Sequence, residues 1–245
     1  MINPTHSRPG DIPIPTAFAL VLTVFVALIG LSFLFATWGL FGASLALALA
    51  TLVPLAALLS FNPSYRTQLT LSRSNARSIC GSILLGSGLW FVVAHGLGPV
   101  LERLTSPEEL QRLEALFAES TIPLALRLLL IGVVPGICEE LLFRGVLQRS
   151  LLKRFPPGKA ILISATVFGL FHLSPARFVS SAFIGLLLGL LSYRYQSLWP
   201  AILVHSLNNC SAIAAMHFWG VETSFWLAAY CVPATVFGGY LVFRR

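Results

Sequence analysis

Residues 12–65 contain no Asp, Glu, Lys or Arg. Drawn as one helix, that stretch would reach about 80 Å, far beyond a single bilayer, so it must fold back into two spans. Gly39 and Gly42, in Trp38-Gly39-Leu40-Phe41-Gly42, mark the expected break. Uncharged or nearly uncharged runs then recur at 78–101, 122–138, 160–176, 178–193, 195–221 and 223–243. These lengths suit spans of roughly 20 residues, and no alternating ten-residue barrel pattern interrupts them. The expectation is an all-α, polytopic membrane protein of about eight transmembrane helices around a polar intramembrane cavity. The first run lies too deep, and is followed by too many others, to read as a cleaved signal peptide.

One sizeable polar connection breaks the series, at 101–121. Ser106-Pro107-Glu108-Glu109 reads as a helix start, and Leu110, Leu113, Leu116 and Phe117 recur at helical spacing. A helix lying along the outer interface is expected there. The chain thus divides into N-terminal membrane helices, about three, with this outer segment (1–121), a region carrying the polar motifs (122–216), and a last helix with a basic tail (217–245).

Composition excludes an ordinary soluble domain, because 56% of residues are hydrophobic and only 10% charged, against about 25% charged in typical globular proteins. The net charge is +7, and its distribution sets an orientation. Lys and Arg of short loops stay cytoplasmic. With eight spans, the inner side receives Arg8, Arg66, Arg73, Arg77, Arg144, Arg149, Lys153, Arg154, Lys159, Arg194, Arg244 and Arg245. The outer side keeps Arg103, Arg112, Arg127 and Arg177. Both termini are therefore expected in the cytoplasm, and the basic charge faces anionic lipid rather than nucleic acid. Cys80, Cys138, Cys210 and Cys231 are dispersed with no C-x-x-C pair, which argues against disulfides or a cysteine metal site.

The chemistry concentrates at Cys138-Glu139-Glu140-Leu141-Leu142-Phe143-Arg144. An ionised side chain inside a bilayer costs at least a few kcal/mol, so adjacent carboxylates in an apolar run point to function wherever partners are at hand. Arg144, His172 and His205 are such partners. The basic turn Lys153-Arg154-Phe155-Pro156-Pro157-Gly158 ends one helix and begins the next. Glu139 and His172 stand equally far from its midpoint, roughly 25 Å along each helix, so an antiparallel pair sets them at one depth. His205 and Asn209 are four apart and share a face, as do Glu140 and Arg144, which can pair. Gly132/Gly136 and Gly185/Gly189 have the spacing that lets helices approach closely. Arg127 is expected to snorkel to the outer interface, and His95 and His217 are read as structural residues near span ends.

Taken in order, Glu139-Glu140-x-x-x-Arg144, Phe168-x-x-x-His172 and His205-x-x-x-Asn209 resemble the three signature motifs of the CAAX-protease and bacteriocin-processing (Abi-type) intramembrane endopeptidases. The resemblance covers 122–216. It implies that Glu139 and His172 activate the attacking water, that His205 and Asn209 stabilise the oxyanion, and that Glu140, Arg144 and Phe168 support them. It implies a hydrolase acting on a peptide or protein, prenylated or bacteriocin-like, in the cell membrane of a prokaryote. A carboxylate and imidazoles in a low-dielectric site supply the base and donors that peptide hydrolysis needs. Glu139, His172 and His205 would equally serve as ligands of zinc or another divalent metal, although H-E-x-x-H is absent and no cofactor is fixed by the sequence. A proton-coupled transporter using the same buried residues is the alternative, but the internal repeat usual in such folds is missing.

Overall fold

The computed structural model describes residues 11–69, 71–72, 74–108, 122–219 and 225–244, the side chain of Phe225 aside. The elements among them are helical. The charge-free N-terminal stretch does fold back on itself, as α1 (Ile14–Leu34) and α2 (Gly39–Phe61). Its break lies slightly earlier than the glycines suggested: Phe35 leaves the helix and Ala36–Trp38 forms a single tight turn. Gly39 then takes φ +54, a conformation that a residue with a Cβ rarely adopts. Gly42 lies so close under the Phe35 carbonyl that no side chain fits between them.

α3 (Ala76–Gly96) opens on the Asn75 side chain, which accepts from the Ser78 amide at 2.8 Å and supplies one missing partner of the first turn. The short α4 (Gly98–Leu104) follows. The interfacial helix expected beyond it falls mainly at 109–121, outside the described residues.

α5 runs without interruption over 124–152, in five stretches. Ordinary α-turns at Leu124–Arg127, Val134–Glu140 and Arg149–Leu152 alternate with wide π-turns at Leu128–Val133 and Leu141–Gln148. α6 (Pro157–Leu170) is short, with 14 residues. It closes in a turn where Leu173 takes φ 54, and Ser174 then caps α7 (Pro175–Tyr195). α8 (Trp199–Trp219) and α9 (Phe225–Phe243) complete the chain.

α1, α2, α3, α7 and α9 are each long and apolar enough to cross a bilayer. Phe33, Phe61 and Trp226 are 80%, 84% and 78% exposed, which is the outward apolar surface that a lipid solvent requires. The protein is an all-α integral membrane protein, as expected; of the about eight transmembrane helices anticipated, five among the described residues are long and apolar enough to span. His172 is the exception to the expected pattern. α6 ends at Leu170, so His172 sits in the turn that closes it rather than inside a spanning helix.

The buried side chains form two groups. Ala17, Val24, Leu142, Phe143, Val146, Leu147, Leu151, Ala160 and Phe168 join α1, α5 and α6, with α2 adding Ala50 and Leu55. Leu85, Leu89, Val93, Leu188, Leu191, Ala201, Val204 and Val242 join α3, α7, α8 and α9. The groups meet where α5 packs on α8. Gly132 faces Cys210 there and Gly136 faces Ser206, leaving no room for a side chain on α5. The Gly132/Gly136 pair read from the sequence therefore lies at this junction, whereas Gly185 and Gly189 of α7 face α5 and α6.

Candidate active site

Glu139 and Glu140 are consecutive on α5, so their side chains leave the helix about 100° apart. Glu140 is fully buried and Glu139 turns toward a cavity, its side chain 12% exposed. Glu140 Oε1 accepts from Arg144 Nη1 at 2.7 Å, the i,i+4 pair anticipated from the spacing. The same oxygen lies 2.9 Å from His205 Nδ1. A carboxylate only accepts, so Nδ1 carries the proton and donates, and Nε2 is the nitrogen left toward the site. Nε2 stands 3.7 Å from Glu139 Oε2, too long for a hydrogen bond but close enough to share one small substrate group.

Arg144 has no exposed surface. Its Nη2 donates to the Gly185 carbonyl at 3.0 Å, and its guanidinium lies 4.5 Å above the Phe168 ring. Phe168 is itself buried and touches both imidazoles edge-on, with centroids 5.0 Å from His172 and 5.8 Å from His205. One ring thus fixes two histidines and one arginine by packing.

His172 owes its orientation to the end of α6. A helix leaves its last carbonyls without amide partners. Phe168 O is one of these, and His172 Nδ1 lies 3.0 Å from it. A carbonyl also only accepts, so Nδ1–H donates and the unprotonated Nε2 is the free end.

The wide turns of α5 shape the remaining wall. Within Leu128–Val133 three carbonyls receive side-chain donors: Leu128 O from Cys210 Sγ at 3.5 Å, Leu130 O from Ser44 Oγ at 2.6 Å and Ile131 O from Asn209 Nδ2 at 3.4 Å. Wide turns of this kind recur at functional sites, where they re-aim the helix surface. Here they bring Ile131 to Asn209, one helical turn beyond His205.

Glu139, His172, His205 and Asn209 all line one cavity of about 280 Å³. Ile131 and Pro135 of α5, Phe168 of α6, Arg177, Ser181 and Ile184 of α7, and Asn208 of α8 complete its wall. The expected polar cavity is thus walled by α5, α6 and its closing turn, α7 and α8. Arg177 was expected only as an outer basic residue, and Asn208 was not among the expected site residues. Ser181, one turn after Arg177, was not singled out, although i,i+4 polar residues on an apolar helix were a usable signal.

Arg127 departs from expectation. It is 2% exposed rather than extended to the interface, and its Nη2 lies 2.7 Å from His217 Nδ1 on α8. His95 is structural as expected, stacked on Phe91 with Nδ1 2.8 Å from the Phe91 carbonyl. For a metal, Glu139, His172 and His205 would have to converge on one point. Among the described residues no three His, Cys, Asp or Glu side chains are so grouped. The residues as arranged do not fit that role, and no step below runs through a metal.

Residues 121–211 match the family model described as Rce1-like: Type II CAAX prenyl endopeptidase Rce1-like. The match spans all three motifs and bears out the resemblance drawn from them. No curated protein and no solved structure matches the chain.

Proposed function

We propose that this protein is an intramembrane endopeptidase of the CAAX-processing type, which hydrolyses a peptide bond at the membrane with a water activated by Glu139 and His172. The observation that carries this reading is the convergence of Glu139, His172, His205 and Asn209, from three separate elements, on one cavity that also lies within the family match.

The mechanism follows from the hydrogen bonds. A water held between the Glu139 carboxylate and His172 Nε2 loses a proton to Glu139 as its oxygen attacks the scissile carbonyl carbon. The carbonyl oxygen becomes an oxyanion. His205, as the imidazolium with Nδ1–H held by Glu140, donates to it from Nε2–H, and so does the Asn209 N–H that the Ile131 carbonyl does not hold. The C–N bond then breaks and Glu139 returns its proton to the leaving amine, so the base is regenerated. Glu140 takes no proton in this scheme. It holds His205 at one ring nitrogen and Arg144 at the same oxygen, which sets the direction of Nε2.

The substrate in this reading is a peptide or protein segment presented at the lipid surface, prenylated or bacteriocin-like, and the enzyme sits in the cell membrane of a prokaryote with both termini in the cytoplasm. Incubation of the purified protein in detergent with matched prenylated and plain peptides tests it, with mass spectrometry of the products. Cleavage at one internal bond, abolished by Glu139→Gln, is the expected result. Ion-gradient-driven flux in vesicles without any cleavage would favour a transporter instead. Inhibition by chelators with recovery on adding zinc would turn Glu139, His172 and His205 into metal ligands.

A further inference from the structure

Asn208 and Asn209 form a chain of amides whose direction is fixed from one end. The Ile131 carbonyl can only accept, so the group of Asn209 that faces it at 3.4 Å is Nδ2. Asn209 Oδ1 therefore points the other way, where it accepts from Asn208 Nδ2 at 3.2 Å. This in turn settles Asn208, whose Oδ1 is left buried and without a hydrogen-bond partner, while the residue as a whole is 6% exposed and lines the cavity. Its one side-chain hydrogen bond runs to the neighbouring residue of the same helix and not to another helix, so a bridge between helices does not account for Asn208.

We infer that Asn208 is a positioning residue for the oxyanion site: its Nδ2–H holds the Asn209 carboxamide with the NH2 group turned toward the α5 wall of the cavity and the oxygen turned away. Without that bond Asn209 can rotate by half a turn and present its oxygen, an acceptor that repels the oxyanion. The Ile131 contact alone does not prevent this, because 3.4 Å is a long hydrogen bond. The inference rests on the proteolytic reading, in which Asn209 is an oxyanion donor, and deepens it.

The test uses full-length protein and two substitutions, Asn208→Leu, which removes both polar atoms and keeps the bulk, and Asn208→Ala, which removes them without adding charge or bulk. Two readouts apply: kcat and KM for whichever panel peptide the unaltered enzyme cleaves, and binding of a fluorescent phosphinate analogue of that peptide, whose anionic oxygens stand where the oxyanion forms. The phosphinate is read by direct titration, so inactive variants still report. A loss of about tenfold in kcat with KM within about twofold is expected for both, with phosphinate affinity falling by a similar factor, less than the hundredfold or more typical of losing a donor itself. In an Asn209→Ala background the same substitutions should leave phosphinate affinity unchanged, because residues that act through one another are not additive. An equal further loss in that background, or a change in KM alone, overturns the inference while leaving proteolysis intact. Absence of cleavage by the unaltered enzyme would overturn both. If Asn208→Leu does not insert or fold, Asn208→Ala decides.

Discussion

Arg144 and Gly185 are held together by a hydrogen bond that depends on the absence of a side chain. Arg144 Nη2 donates to the Gly185 carbonyl at 3.0 Å, and a Cβ at position 185 would stand 3.1 Å from that same nitrogen, with Phe168 and Ala165 equally near. The other terminal nitrogen of the guanidinium, Nη1, is committed to Glu140. Two nitrogens of one planar fork thus tie α5 to itself and to α7.

Arg144→Lys should therefore fail to replace the arginine, since an ammonium on a flexible stem does not reproduce the fork. Gly185→Ala should lower stability by about 1–3 kcal/mol through overcrowding. Thermal unfolding in detergent measures both. A lysine variant as stable and active as the unaltered protein would count against the fork.

Glu140→Ala should be among the most damaging substitutions, on the order of 3–5 kcal/mol, because it leaves the Arg144 charge buried without its partner. Glu140→Gln keeps an acceptor and should fall between the two. Its activity should drop further than its stability accounts for, since His205 loses a charged anchor at Nδ1. Activity that simply tracks the folded fraction would remove the orienting role.

Glu139→Gln and His172→Ala should each abolish nearly all turnover, and the double variant should be little worse than either, as expected of residues that share one water. His205→Ala and Asn209→Ala should retain residual activity, about a hundred- to a thousandfold down. Single-turnover assays at high enzyme concentration resolve these levels. Substantial cleavage by a correctly inserted Glu139→Gln protein would defeat the mechanism.

Gly136→Ala tests the junction between the two packing groups. A Cβ there meets Ser206, including its backbone Cα and N at 3.0 Å, so α5 and α8 must separate. Glu139 lies less than one turn further along α5, and its distance to His205 should change with it. The expected outcome is a loss of activity of about tenfold or more for an unfolding cost of only about 1–3 kcal/mol. Full activity would mean that the junction gives way without disturbing the site.

Orientation is tested by single cysteines introduced near Ser74 and near Glu108 in a background lacking the native four. Under the proposed topology, a membrane-impermeant thiol reagent applied from one side labels only one of them. Labelling of both from the same side would reverse part of the arrangement.

The polar motifs were legible because charge inside an apolar run is costly and so must be accounted for. Counting from the basic turn at 153–158 brought Glu139 and His172 to one level, and both line the cavity. That count assumed two continuous helices, whereas α6 stops at Leu170 and one of its last carbonyls, Phe168 O, orients His172. The wide turns of α5 left no trace in the sequence, because they change the backbone hydrogen bonding without calling for any particular residue type. Arg127 was misjudged for a related reason. Its partner, His217, is 90 positions away, and only tertiary packing reveals that burial is compensated. Glu140 and His205 are likewise 65 positions apart, so the second bond of Glu140 was invisible.

The brevity of α6 bears on the bilayer itself. Fourteen residues rise about 21 Å, against roughly 30 Å of hydrocarbon, and the turn at His172 marks where the shortfall begins. Lipid meets such a mismatch by thinning beside the short helix. Under the proposed reading, acyl chains and headgroups would be drawn inward there, and the polar boundary would move toward the depth of Glu139. The local membrane is in that sense a component of the site: its thickness governs how far water must travel to the reacting bond, and thicker bilayers should slow the enzyme without altering any of its side chains.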